Sequence, residues 1–189
     1  GRGFPVQQLV VRLAAMVRVP LVIDADALNA LSETVDFATD MKAPIVLTPH
    51  PGEFARLAAA LGLQADPVHS AARADAAVAL AARLGCVVAL KGANTVVSDG
   101  VRCWTCDAVE PALATGGSGD ALAGLTGGLA AQFVRVGSAC ALDLFQATRL
   151  AVQVHAESAA LWAERHGHAG MLAQEIADGI PDAMARMRA

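Results

Sequence analysis

The chain alternates between stretches of helical periodicity and short, wholly apolar runs. Residues 5–18 open on Pro5, which suits a helix start, and Val6, Leu9, Val10, Leu13 and Val17 follow at helical spacing. This predicts an amphipathic surface helix that Pro20 ends. Leu21, Val22 and Ile23 then form a run too short for a helix and without polar alternation, which reads as a buried strand. Similar runs return at 45–47 and 86–90. Between them, helical spacing covers 54–61, closed by Gly62, and the alanine-rich 70–84, closed by Gly85. Residues 95–98 and 101–104 flank Asp99-Gly100, a two-residue turn signal, and read as a hairpin. Residues 121–132, dense in alanine and glycine, predict a helix packed closely on a sheet. A long helical region covers 138–165, with Leu142, Phe145, Leu150, Val154 and Leu161 on its apolar side and His155 as a core or helix contact. Residues 171–187 form a helical tail broken by Pro181. Strands separated by helices predict an α/β fold, a mostly parallel sheet covered on both faces with the polar clusters along one edge.

Composition narrows this picture. With 189 residues, 55% hydrophobic and 17% charged, the chain has enough apolar content for a real core, as one domain, residues 1–189, or as most of a larger one. A formal net charge of -4, without a run of Lys or Arg, argues against nucleic acid or an anionic membrane as partner. The nearest approach to a membrane span, 121–134, is short and interrupted by glycine, and no secretory leader is visible. Cys86, Cys103, Cys106 and Cys140 show no disulfide framework, so reduced thiols and a cytoplasmic location are expected. Cys103-Trp104-Thr105-Cys106 has the spacing of half a zinc site, but no second pair completes it; we read it as structural.

The candidate chemistry follows the apolar runs. In Thr115-Gly116-Gly117-Ser118-Gly119-Asp120, small residues lead to a carboxylate where a helix begins. Free amides and the helix dipole there attract phosphate, and glycines let the backbone approach its oxygens. Asp120 beside a polyanion suits proton abstraction from a hydroxyl; the plainer alternative is a helix capped by Ser118 or Asp120. Asp24, Asp26 and Asn29 follow the first strand and face the cleft, unless Asp26 only caps the next helix. His50, pinned between Pro49 and Pro51, with Glu53 and Arg56 behind it, is placed for ligand contact, while Glu53 also complements a helix dipole. Lys91, ahead of Gly92-Ala93-Asn94-Thr95, either meets a nucleotide or is a solvated strand end.

Four segments in this order, 21–29 (LVIDADALN), 47–56 (LTPHPGEFAR), 91–95 (KGANT) and 113–120 (LATGGSGD), resemble the NAD(P)H-hydrate dehydratases of the ribokinase-like superfamily. The resemblance runs from Gly1 to about Pro181 and implies a three-layer αβα fold. It implies repair of the S form of hydrated NADH or NADPH, driven by cleavage of ADP or ATP with Mg2+. Asp120 would then activate the substrate hydroxyl, the amides of Gly116, Gly117, Ser118 and Gly119 would hold the phosphates, and Lys91, Gly92, Ala93, Asn94 and Thr95 would line the nucleotide site. Gly1, His50, Glu53, Arg56 and Asp120 would contact the hydrated dinucleotide. The resemblance further implies a homo-oligomer and a possible linked NAD(P)H-hydrate epimerase domain. Relative to the family pattern, the chain corresponds to the C-terminal two thirds of the domain, without its N-terminal strands. Val109-Glu110-Pro111 stands where the family usually has Asn-Pro, and the Glu110 carboxylate is expected to repel nucleotide. The same residues fit two other readings, a kinase of a small alcohol or vitamin precursor and a non-catalytic nucleotide-binding fragment.

Overall fold

The computed structural model describes residues 4–34, 37, 43–134 and 142–188. Gly1, Cys140 and the expected start of the long helix at 138–141 lie outside them. The elements run α1 (Phe4–Met16), β1 (Leu21–Ile23), α2 (Asp26–Ser32), β2 (Ile45–Leu47), α3 (Pro51–Ala60), α4 (Ser70–Leu84) and β3 (Val87–Leu90). They continue with β4 (Val96–Ser98), β5 (Cys103–Thr105), a 3-10 turn (Pro111–Leu113), α5 (Ser118–Phe133), α6 (Leu144–His166), α7 (Ala173–Asp178) and α8 (Ile180–Arg186).

The five strands lie in chain order. β1 pairs with β2, and β2 with β3, in parallel; β3, β4 and β5 are antiparallel. The sheet is therefore mixed rather than mostly parallel, because the hairpin contributes its two strands to the same sheet. Its loop is also longer than two residues. Ser98 pairs with Cys103, and Asp99 Oδ1 accepts from the amides of Val101 and Arg102 at 3.0 and 2.6 Å. A carboxylate that satisfies two loop amides stabilises this wider turn.

Alternation along each strand divides the core in two. Ile23, Ile45, Leu47, Val88, Leu90 and Val96 face the apolar sides of α1 to α4. Val22, Val46, Val87, Ala89 and Val97 face α5 and α6, with Leu122, Leu129, Phe145 and Val152 between. Three layers result, helix on sheet on helix. α5 runs close to β1, where a Cβ on Gly127 would touch Val22 at 3.9 Å. A smaller cluster of Ala112, Ala159, Met171 and Ile176 packs the 3-10 turn and α7 onto α6. The helical tail breaks at Gly179, and Pro181 sits in the first turn of α8, where its missing N–H costs nothing. Among the described residues, Cys86, Cys103 and Cys106 are free thiols. No helix among the described residues is long and apolar enough to cross a membrane.

Candidate functional site

Three strand ends and one helix start meet at a single place. Asp24 follows β1, Glu53 lies in the first turn of α3 just beyond β2, and Lys91 follows β3. The Lys91 ammonium stands 2.5 Å from Asp24 Oδ1 and 3.8 Å from Glu53 Oε2, with all three side chains largely buried. Lys91 is thus no solvated strand end. An ammonium withdrawn from water needs such partners, and here it joins three strand ends. The Lys91 amide adds a bond to the Pro49 carbonyl at 2.8 Å.

Two features supporting this cluster escaped the sequence reading. Ala25 has φ 52° and ψ −124°, a conformation ordinarily left to glycine, which stores roughly 1–3 kcal/mol of strain beside Asp24. Nothing in an Asp-Ala-Asp string announces it. Arg73, within the alanine-rich α4, is buried and donates to the carbonyls of Pro67 (2.7 Å), Leu90 (3.0 Å) and Lys91 (3.2 Å). Burial lowers its pKa from the ordinary arginine value. An arginine in the interior of a helix with eight alanines, rather than in its last turn like Arg83, was the available signal.

His50 is the N-cap of α3. Its Nδ1 accepts from the amides of Gly52 (2.9 Å) and Glu53 (3.4 Å), and the Glu53 carboxylate accepts from the His50 amide at 2.8 Å. This is a capping box built with an imidazole. Since Nδ1 accepts, a neutral ring carries its proton on Nε2, 3.4 Å from Glu53 Oε1. Arg56 donates to the Gly52 carbonyl at 3.1 Å on the exposed side. His50, Glu53 and Arg56 therefore share one helix start, and Glu53 also belongs to the lysine cluster. Asp26 lies in the first turn of α2, and Asn29 is buried there, its Oδ1 without a hydrogen-bond partner among the described residues.

The small-residue loop delivers the start of α5 to this cluster. Gly117 is its N-cap, with φ 85°, and no side chain caps the helix. The Ser118 amide donates to Thr115 and the Ala121 amide to Gly117, which leaves Gly119 and Asp120 in the first turn, where a helix has no carbonyl to offer their amides. The capping alternative for Ser118 and Asp120 is not realised. A Cβ on Gly119 would lie 3.3 Å from Lys91 Nζ and 3.5 Å from Asp24 Oδ2. Only glycine brings the chain this near the ion pair without displacing it. Asp120 is exposed in the same turn, its Oδ2 folded back to 3.9 Å from where a Gly117 Cβ would be.

His155 of α6 holds the loop from behind. It is buried, with Nε2 3.0 Å from the Ser118 carbonyl and 3.3 Å from Ser118 Oγ. A carbonyl only accepts, so Nε2 carries the proton. Burial lowers the pKa of this imidazole, the Ser118 bond opposing it, and the ring is neutral at physiological pH. Of the two roles expected for it, core or helix contact, it fills both.

A cavity of about 420 Å³ opens beside the loop. Lys91, Gly92, Ala93 and Thr95 line it from one side and Thr115, Ser118 and Gly119 from another, with Leu113, Leu122 and Val152 among its apolar walls. That size and mixture suit a small organic anion with a flat apolar part. Asn94 and Gly116 are not on the wall. Asn94 has φ 56° and donates to the Cys106 carbonyl at 3.2 Å, shaping the turn, and Gly116 is exposed. Glu110 lines the cavity, but its carboxylate is engaged by the Ala112 amide and by His168. Its pKa is lowered: burial raises it, and these two partners outweigh burial.

Comparison with known proteins places this geometry. The Carb_kinase family model, described as NAD(P)H-hydrate dehydratase, matches residues 1–182. The chain is 36% identical over 183 residues to the bifunctional NAD(P)H-hydrate repair enzyme Nnr of Thermofilum pendens, covering 96% of this chain and 32% of that one. It is 35% identical to the ADP-dependent (S)-NAD(P)H-hydrate dehydratase of Bacillus subtilis, over 86% of this chain and 53% of that one. The chain thus spans about a third to a half of the length of these relatives. A crystal structure of the ADP/ATP-dependent NAD(P)H-hydrate dehydratase from Bacillus subtilis, co-crystallized with ATP/Mg2+, superposes with a TM-score of 0.80 at 32% identity, over 98% of this chain and 61% of that one. A ribokinase-like superfamily protein of Enterococcus faecalis shares the fold, with a TM-score of 0.74 at 24% identity, over 98% of this chain and 60% of that one. With 182 of its 189 residues matched, and the four sequence segments brought together around the start of α5, the chain belongs to the NAD(P)H-hydrate dehydratase family and has its ribokinase-like fold.

Proposed function

We propose that this chain dehydrates the S form of hydrated NADH or NADPH, using ADP or ATP. The observation that carries the reading is the uncapped first turn of α5, with Lys91 on one side, the cavity beside it and Asp120 on the same turn. The relatives' names supply the reaction class. In this reading the cavity takes the adenine nucleotide and the loop of residues 116–119 binds its phosphates, through the Gly119 amide that the helix leaves free and the backbone of the glycines before it. Asp120 Oδ takes the proton of the hydrate's hydroxyl, whose oxygen forms a bond to the terminal phosphorus as the bond to the departing nucleotide oxygen breaks. Phosphate then leaves the ring with the C–O electron pair, and the neighbouring carbon loses a proton, so the sum is loss of water. Most of the acceleration falls to groups that stabilise charge on the moving phosphoryl group, namely the loop amides and Lys91.

The donor set bears on magnesium. Among the described residues no group of His, Cys, Asp and Glu is arranged as a cage for a metal ion, and a magnesium ion would enter with the nucleotide, held by phosphate oxygens and water as this cation readily is. It would neutralise phosphate charge. His50, Glu53 and Arg56 receive the hydrated dinucleotide at the start of α3. The bifunctional relatives support an epimerase activity elsewhere in the same repair system, and the free thiols support a cytoplasmic setting. We take the working unit to be one domain that assembles with copies of itself.

The test is incubation with hydrated NADH, Mg2+ and ADP or ATP, following the rise of NADH absorbance. Turnover supports the reading. Absence of turnover together with phosphorylation of a vitamin-precursor alcohol would replace it with the kinase reading.

A further inference from the structure

The cavity wall holds a carboxylate that this chemistry does not use. The Glu110 side chain is only 9% exposed, and the residue lines the cavity. Its Oε1 accepts from the Ala112 amide at 3.0 Å and lies 2.9 Å from His168 Nδ1, which fixes the group from two sides. Oε2 has no hydrogen-bond partner among the described residues. A carboxylate is acceptor-only, so a ligand filling the cavity either brings a donor to Oε2 or leaves a charged oxygen desolvated and unpaired, which is costly. Phosphate brings no such donor and would be repelled. The nucleoside half does bring donors, in its ribose hydroxyls and its exocyclic amine. Val109 and Leu113, flanking the carboxylate in sequence, add apolar wall, and exclusion of water strengthens a bond formed there.

We propose that Glu110 is a specificity-determining residue that accepts a hydrogen bond from the nucleoside half of the bound nucleotide, from a ribose hydroxyl or the purine amine. This rests on the reading that the adenine nucleotide occupies the cavity. The charge expected to repel nucleotide then selects its orientation, nucleoside toward Glu110 and phosphates toward Gly119 and Lys91. His168 is a positioning residue, since it holds the carboxylate from the exposed side.

The test is calorimetric titration of the 189-residue chain with ADP, 2′-deoxy-ADP, 3′-deoxy-ADP and purine riboside diphosphate, which lacks the amine. The wild type is expected to bind ADP roughly tenfold more tightly than one of these analogues, which identifies the donor. Glu110→Gln keeps an oxygen for the Ala112 amide but presents an N–H2 group in place of Oε2, and that preference should fall below about twofold. Should this variant fail to fold, His168→Ala supplies the second arm, with the same preference reduced at least about threefold. Equal wild-type affinity for ADP and all three analogues overturns the proposal, as does an unchanged preference in the folded variants. Failure of the wild type to bind ADP at all overturns the nucleotide reading itself, and the Glu110 assignment with it.

Discussion

Gly117 carries a left-handed φ of 85° at the point where the loop becomes α5, and a Cβ there would stand 2.9 Å from the Cβ of Ala173. Gly117→Ala therefore strains the backbone and collides with α7. A loss of about 1–2 kcal/mol or more is expected in urea denaturation, together with weaker ADP binding. Gly119→Ala acts differently, because its φ is ordinary. Its methyl meets Lys91 Nζ at 3.3 Å and presses on the flexible end of that side chain rather than on backbone, so the loss of stability should be smaller than at Gly117 while ADP affinity falls several-fold, readable by calorimetry. The string Thr-Gly-Gly-Ser-Gly-Asp marked both positions as part of a candidate anion loop. It did not say which glycine serves backbone conformation and which serves close approach, since that depends on residues 56 positions downstream at Ala173 and 28 upstream at Lys91.

At the scale of elements, the site is held by two helices that carry no recognisable motif. Arg73 in α4 ties the end of β3 to the loop before α4, and His155 in α6 ties the start of α5 to its neighbour in the same helical layer. Arg73→Leu leaves three carbonyls without their donor, two of them belonging to Leu90 and Lys91 beside the site. We expect a loss of at least about 2 kcal/mol in chemical denaturation. The elements themselves were legible wherever periodicity was long: α4 is found at 70–84 as expected, and the three parallel strands at their apolar runs. Periodicity reports which face is buried and not which partner buries it. Hence the sequence placed Asp24, Glu53 and Lys91 along one edge, but their pairing with one another, and that of His155 with Ser118, was invisible until the layers were assembled. The hairpin shows the reverse failure. Asp99-Gly100 does mark its turn, but the side chain of Asp99 satisfies the amides of the following residues and widens it.

Across the whole molecule, two layers of helices meet through a sheet whose parallel half brings Asp24, Glu53 and Lys91 to one edge, and titration of buried groups sets the pH range in which this assembly persists. His155 has a lowered folded pKa, so the unfolded chain binds more protons below an ordinary histidine value of about 6.5, and stability present above it is lost as pH falls. Asp99 and Asp143, whose pKa values are lowered by hydrogen bonds to Arg102 against the effect of burial, lose their contributions at lower pH still. Cys86 is pushed by burial to about 12, so the unfolded thiol ionises first and stability declines between about pH 9 and 12. Thermal melts across pH should therefore show an acid limb that shifts downward in His155→Gln. The fold class and the small-residue loop at the start of α5 were legible because four short segments carry them; the mixed sheet and the engaged Glu110 depend on contacts that no segment encodes alone. The central claim is that Asp120 abstracts a proton at a phosphate-binding helix start. It is tested most directly by comparing wild type and Asp120→Asn in turnover of hydrated NADH with ADP and Mg2+, with ADP binding measured on both. The account predicts that turnover falls by roughly 10²–10⁴-fold while ADP affinity is kept or improved; near wild-type turnover in Asp120→Asn would contradict it.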